Sequence, residues 1–432
     1  MNRVLVLGAG VSGAAAAGLA RRRDLAVTVY SEEASLELLN QGFSVASGGW
    51  DPVLLNGIDL VIASPGFSER ALPIVEALEW GLPVWSEIEF AWRHIDVPVA
   101  AITGTNGKTT VTEATSAMLE ASGIDAPATG NIGSALSDHV DENHEAVVVE
   151  VSSFQLRFCE EFHPTAAAIT NVAVDHLDWH GSEHAYRSAK ARIFLNQGEE
   201  DLLVYDADDE GATSLASGAR SELFPVSGHH LPPGGGGVDH GRLVIGEMSM
   251  SIGDLTSDDP THLVNLAAAS ALALRMGASP EGVIRAAKSF SPGPHRRAVV
   301  ARAMGVTWID DSKATNPHAA LASIRANDSV VLIAGGLAKG LDLTPLALEP
   351  GVRVLLGIGT AGPLLVAAAG ARGHLAESLE HAVQMAVRLA EPGDTVLLAP
   401  GCASFDQFPS YADRGERFSQ LVREITEEAT AG

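Results

Sequence analysis

The residues best suited to chemistry lie in Thr103-Gly104-Thr105-Asn106-Gly107-Lys108-Thr109-Thr110. An apolar run over 97–102 precedes them and reads as a buried strand, and 109–122 reads as a helix. A glycine-rich strand-to-helix turn ending in Gly-Lys-Thr can cradle phosphate. Backbone N–H groups and the helix N-terminus face the anion, Lys108 neutralises its outer oxygens, and the Thr109 hydroxyl can ligate Mg2+. The common form of this loop has a glycine where Ile102 stands, so the reading rests on a compact variant. An ordinary turn with an exposed lysine is the alternative.

Lysine usage points the same way. The chain holds five lysines, Lys108, Lys190, Lys288, Lys313 and Lys339, and otherwise relies on arginine for positive charge. Four of the five fall inside candidate motifs. An ammonium is a point charge that can be modified or shifted in pKa, which a guanidinium resists.

Other chemistry-bearing residues follow strands. Gly8-Ala9-Gly10-Val11-Ser12-Gly13 is a diphosphate-binding turn; with Glu32 or Glu33 at the end of the next strand it leaves an NAD site open. Ser64-Pro65-Gly66 either adds to the same crevice or is a plain turn. Glu150 closes an apolar run and suits Mg2+ beside a phosphate loop. His176 and Lys190 come next, the latter on a helix that Ser182 can cap; each alone is more often structural or solvated, and their order behind a phosphate loop favours a site. Further on, Lys313, Thr315, Lys339 and Ser404 all follow short β runs, and their donors suit a small dicarboxylate and a transferring phosphoryl group.

These residues need sheets whose strand ends converge. Strands are expected near 4–7, 27–30, 60–63 and 84–85, then 146–151 and 166–170, then 307–309, 330–334, 354–358 and 396–399. The fold class is α/β with three domains in series. They are a Rossmann-like unit over 1–95, a P-loop ATPase-like domain with a mostly parallel sheet over 96–293, and a Rossmann-like domain over 294–432, entered through Ser291-Pro292-Gly293-Pro294. The stretch from His229-His230 through Gly234–Gly237 reads as an exposed loop. No tandem repeat is visible.

Composition narrows the classes. The 432 residues are 46% hydrophobic and 19% charged, as in a folded protein. A net charge of −26 argues against nucleic acid and requires local cations wherever an anion binds. Cys159 and Cys402 stand far apart without metal spacing and read as reduced thiols of a cytosolic protein. Glycines and arginines interrupt the apolar runs at 4–20 and 352–371, so neither reads as a leader or a membrane span.

Taken in order, the phosphate loop, Gly130-Asn131-Ile132-Gly133, Glu150-Val-Ser-Ser-Phe-Gln-Leu156, Asp175-His176-Leu-Asp178, Tyr186-Arg-Ser-Ala-Lys190, Pro294-His295-Arg296, Asp311-Ser-Lys-Ala-Thr-Asn316 and Ala403-Ser-Phe-Asp-Gln-Phe408 resemble the motif series of the Mur ligases. The resemblance runs from residue 8 to residue 417 and is greatest to members that add D-glutamate. It implies an ATP-dependent amide ligase of peptidoglycan synthesis that joins D-glutamate to UDP-N-acetylmuramoyl-L-alanine. Gly10, Val11, Ser12, Ser31, Ser64, Gly66 and Asn131 would contact the UDP substrate. Gly104, Thr105, Asn106, Gly107, Lys108, Thr109, Thr110, Asn265, His295, Arg296, Asp311 and Lys313 would contact ATP. Thr109 and Glu150 would hold one Mg2+, and His176 with a carbamate on Lys190 a second. Thr315, Lys339, Ser404 and Tyr411 would position D-glutamate. Lys108, Glu150, His176 and Lys190 carry the catalytic roles in this expectation. The protein is expected to be a cytoplasmic monomer that meets neither nucleic acid nor membrane.

Overall fold

A computed structural model describes residues 2–431, with side chains throughout except at 178 and 427–431. The chain divides into two compact units, Met1–Phe290 and Ser291–Gly432.

The first unit carries two sheets. One contains β1 (Arg3–Leu7), β2 (Ala26–Ser31), β3 (Ser44–Ser47), β4 (Leu60–Ala63) and β5 (Val84–Ser86), all parallel, in the order β3-β2-β1-β4-β5. The other contains β6 (Val99–Thr103), β7 (Ala128–Gly130), β8 (Val147–Glu150), β9 (Ala166–Ile169), β10 (Leu202–Asp206), β11 (Glu222–Val226), β12 (Gly236–Asp239), β13 (Arg242–Ile245) and β14 (Met248–Ser251). Their order is β14-β13-β12-β11-β10-β9-β6-β8-β7, and only the β12-β13-β14 end is antiparallel. The second unit holds β15 (Ala298–Ala303), β16 (Val306–Asp310), β17 (Val330–Gly335), β18 (Val352–Ile358), β19 (Gly373–Leu375) and β20 (Thr395–Leu398), ordered β15-β16-β20-β17-β18-β19.

The strands are apolar runs because parallel sheets are covered on both faces. Alternation assigns each residue a side. Val4 and Val6 join one core cluster, Leu5 and Leu7 another. The first of these clusters also includes Val99, Ala101, Val147 and Val149 of the second sheet, with Ile88, Phe90 and Ala91 between. The two sheets of the first unit therefore share apolar packing. Glu89 adds a polar link: its buried carboxylate accepts the backbone N–H groups of Glu160, Glu161 and Phe162.

Sequence reading missed β3, β7, β10, β11, β13, β14, β15 and β19, and it misread the glycine-rich stretch at 235–237, part of which forms β12. Gly236 and Gly237 are buried in β12. A Cβ at Gly235 would lie 1.9 Å from the Pro225 carbonyl oxygen, and one at Gly237 would lie 2.1 Å from that of His230. These glycines permit close backbone packing, while His229, His230, Leu231, Pro233 and Gly234 keep the expected exposure. Two-residue turns at His240-Gly241 and Met304-Gly305, all at positive φ, close the β12–β13 and β15–β16 hairpins.

Candidate active site

In the nine-stranded sheet, β9, β6 and β8 are neighbours, and their carboxyl ends carry the chemistry. Loops at the carboxyl ends of parallel strands form the binding crevice of such sheets. From β6 the chain turns through 104–107 into the helix Lys108–Ala121. Gly104 has φ +153, and a Cβ there would sit 1.8 Å from Thr170 Oγ1. Gly107, at φ +81, is the left-handed N-cap, and a Cβ there would lie 2.9 Å from Asn265 Oδ1. Asn171, after β9, pins the loop from below. Its carbonyl accepts from Thr105 N–H at 2.9 Å, its Oδ1 accepts from Asn106 N–H at 2.8 Å, and its Nδ2 donates to the Asn106 carbonyl. The loop is thus held with its helix N-terminus open.

Two lysines turn onto one carbonyl. Lys108 Nζ donates to the Gly104 oxygen at 3.0 Å and to that of Thr105 at 3.1 Å. Lys190 Nζ, from the helix Glu183–Ala191, donates to the same Gly104 oxygen at 2.7 Å. Lys190 is 1% exposed and its nitrogen lies 4.8 Å from the Tyr186 ring centroid. Burial, reinforced by Lys108, pushes its pKa well below the ordinary lysine value, while Asp175 and Glu150 oppose the shift. Glu150, ending β8, is buried; Oε1 accepts from Asn131 Nδ2 at 2.8 Å, and Oε2 has no hydrogen-bond partner. An uncommitted buried carboxylate oxygen near a phosphate loop fits Mg2+, which takes hard oxygen ligands. The Thr109 hydroxyl, one residue inside the helix, is a donor of the same type. His176 follows β9 at φ +51, its ring 4.7 Å from that of Phe154 and its Nε2 3.7 Å from Asp175.

The five-stranded sheet reverses its order at β1, and the Gly8–Gly13 turn and Ser64 lie at the ends of neighbouring β1 and β4. A Cβ at Gly13 would meet the Gly8 carbonyl oxygen at 2.0 Å, and one at Gly8 would meet Ser64 Oγ at 2.7 Å. Gly10 caps the helix Val11–Arg22 without a side-chain bond, which leaves that N-terminus open, and Val11 and Gly66 are exposed. Ser31 donates to the Glu33 carbonyl, and Glu32 is exposed. Asn131 is placed against Glu150.

In the second unit, β16, β20 and β17 are neighbours, and their ends bring together the 311–316, 400–404 and 335–340 loops. Lys313 Nζ lies 3.9 Å from the Tyr411 ring centroid. Exposed Lys339 holds φ +51 with its nitrogen 6.0 Å from the Phe405 ring, and Ser404 is buried. Thr315 and Arg296 are half-buried. Asp311 is committed inward: Oδ1 accepts from Arg297 N–H, Oδ2 accepts from Ser323, and burial lifts its pKa to about 6. His295 Nδ1 sits 2.6 Å from buried Asp310 Oδ2. Gly415 makes room for this pair, since a Cβ there would come within 2.2 Å of His295 Nδ1 and 2.9 Å of Asp310 Oδ2. Gly415→Ala is expected to lower stability by about 1–3 kcal/mol through overpacking, checked by chemical denaturation.

Residues 102–227 match the Mur ligase middle domain, and 295–402 match the Mur ligase, glutamate ligase domain. Proteins named UDP-N-acetylmuramoylalanine--D-glutamate ligase are similar over nearly the whole length. That of Frankia casuarinae is 41% identical over 97% of this chain and 93% of its own. That of Rubrobacter xylanophilus is 40% identical over 98% of both. The chain belongs to the Mur ligase family. Solved structures agree at the level of fold. MurF from Acinetobacter baumannii superposes with a TM-score of 0.62 at 17% identity, over 98% of this chain and 93% of that one. A pseudomurein peptide ligase type C from Methanothermus fervidus gives 0.61 at 16%, over 98% and 100%. No helix among the described residues is long and apolar enough to cross a membrane.

Several residues that shape this Mur ligase's site escaped the sequence reading. Thr170 and Asn171 brace the phosphate loop, and Tyr186 holds Thr105 through a 2.9 Å hydroxyl contact. Buried Arg414 donates to the Ser312 hydroxyl and carbonyl and to the Cys402 carbonyl, which joins the ends of β16 and β20. A lone arginine in an amphipathic helix carries no such signal, because its partners lie 102 and 12 residues away.

Proposed function

We propose that this Mur ligase couples ATP cleavage to amide formation between UDP-N-acetylmuramoyl-L-alanine and D-glutamate. The observation that carries the reading is the pair of lysines on the Gly104 carbonyl beside the uncommitted oxygen of Glu150. The names of full-length relatives supply the substrates. The carboxylate of the UDP substrate attacks the γ-phosphorus of ATP, ADP leaves, and an acyl phosphate forms. The amine of D-glutamate then attacks the acyl carbon; phosphate departs and the amine proton is lost.

Residues 1–95 serve as the UDP-sugar domain, 96–293 as the ATP domain and 294–432 as the amino-acid domain. The Gly8–Gly13 turn, with Ser12, Ser31, Ser64 and Gly66, holds the uridine diphosphate rather than a dinucleotide. Residues 104–110 hold the ATP phosphates, with Lys108 on the outermost. Thr109 and Glu150 would hold one Mg2+, and His176 with carbamylated Lys190 a second; ions bound there would neutralise phosphate charge and polarise the reacting phosphorus. Asn265, His295, Arg296, Asp311 and Lys313 serve the nucleotide; for Asp311 the support is indirect, through the backbone it holds. Thr315, Lys339, Ser404 and Tyr411 serve D-glutamate. The reading places the enzyme in the cytoplasm, where ATP and nucleotide sugars are made, and requires only one chain.

The deciding assay is phosphate release from Mg·ATP and UDP-N-acetylmuramoyl-L-alanine with D-glutamate, L-glutamate, L-alanine or diaminopimelate. Release with D-glutamate alone is expected; release with none of the four would refute the ligase reading. Lys339→Ala is expected to raise the KM for D-glutamate by about 10–100-fold, the worth of a hydrogen bond to a charged group. The KM for ATP should stay near wild type, and the reverse pattern would remove Lys339 from the amino-acid site.

A further inference from the structure

We infer that His139, Glu142 and His144 form a binding site for a divalent transition metal of the Zn2+ type, separate from the phosphate loop. The three lie on the connection between β7 and β8. His139 Nδ1 is 3.1 Å from His144 Nε2 and 2.9 Å from Glu142 Oε2, and His144 Nε2 is 2.7 Å from the same oxygen. Three ligand atoms of the kind Zn2+ prefers therefore converge on one point. A tetrahedral site with bonds of about 2.0–2.1 Å has edges of roughly 3.3–3.4 Å, so the three atoms need to spread by up to about 0.7 Å to receive the ion.

The outer nitrogens supply the orientation that metal-binding imidazoles need. His144 Nδ1 lies 2.8 Å from Asp125 Oδ2, and His139 Nε2 lies 2.6 Å from Ser134 Oγ. An ionised carboxylate only accepts, so the Asp125 contact puts a His144 proton on Nδ1. With no metal bound, protonated ring nitrogens of His144 and His139 donate to Glu142 Oε2 at 2.7 and 2.9 Å. A metal ion takes the place of those inner protons and satisfies all three ligand atoms at once. Carboxylate–histidine–metal relays of this form fix the ring and raise its basicity.

The surroundings hold the cluster in place. Arg22 and Arg23 pair with Asp141 at 2.6 and 2.7 Å, and Glu87 accepts from Ser137 N–H. The two histidine side chains are 15% and 14% exposed and Glu142 is 53% exposed, so an ion enters from the glutamate side and keeps a water as fourth ligand. The bound ion would tie the β7–β8 connection to the segment at Asp125.

The test uses the full chain, stripped with a chelator and titrated calorimetrically with ZnCl2 under excess Mg2+. One equivalent is expected to bind. Glu142→Gln and His144→Ala should each weaken binding by about 100-fold or more, and Asp125→Asn by about 10–100-fold. Affinity should fall as pH drops, because protons compete with the metal for the ring nitrogens. Co2+ in place of Zn2+ should give the intense visible bands of four-coordinate cobalt, which a six-coordinate ion at a phosphate site does not. Glu142 is more than half exposed, so its substitution should leave folding intact. Absence of Zn2+ binding, or equal binding by wild type and Glu142→Gln, would overturn the site.

Discussion

Lys108→Ala is expected to lower kcat by at least about 10²–10³-fold, the typical loss when one preorganised group that stabilises developing charge is removed. The attacking carboxylate and the γ-phosphate are both anions on a chain of net charge −26, so positive charge must be supplied locally. Lys108 is placed for this by its position as first residue of the helix, where its stem folds back over the loop it neutralises. Its removal acts on charge stabilisation more than on ground-state binding, so kcat should fall further than the KM for ATP rises. Single-turnover phosphate release measures this directly, and near-normal kcat would detach the loop from phosphoryl transfer.

Lys190→Ala should likewise abolish most turnover, with partial recovery when a small carboxylate is added to the buffer. A buried lysine beside another lysine, with a single carbonyl as hydrogen-bond partner, has its pKa pushed well below the ordinary lysine value, which favours the neutral amine. A neutral amine adds CO2 through its lone pair: an N–C bond forms, a proton leaves, and the side chain becomes an anion. That conversion turns an unfavourable buried cation into an oxygen ligand for a hard metal. Labelling with 13CO2 should give a carbamate resonance in wild type that is missing from Lys190→Ala. Full activity in CO2-free buffer would defeat the assignment.

Much of the architecture was legible in the chain. Parallel strands covered on both faces are nearly continuous apolar runs, so β1, β2, β4, β6, β8 and β9 stand out. The glycines at 8, 13, 104 and 107 could be picked out because close backbone approach and left-handed φ exclude other residues. Edge elements were less visible. β3 is four residues long and partly exposed, and the buried glycines of β12 look like loop until Phe224 and His230 are seen against them.

Residue type and local spacing were enough to nominate Lys108, Glu150, His176, Lys190 and Lys339, because phosphate and carboxylate chemistry restricts which side chains can serve. Strand order could not be read the same way, since pairing energy is spent between residues far apart in the chain. It is the order β9-β6-β8 that puts Asn171 beneath the phosphate loop, and folding of the helix Glu183–Ala191 against it that sends Lys190 to the Gly104 carbonyl. The lowered pKa of Lys190, the open oxygen of Glu150, the Arg414 link and the convergence of His139 with His144 all come from burial and distance. Those quantities exist only once the chain has packed.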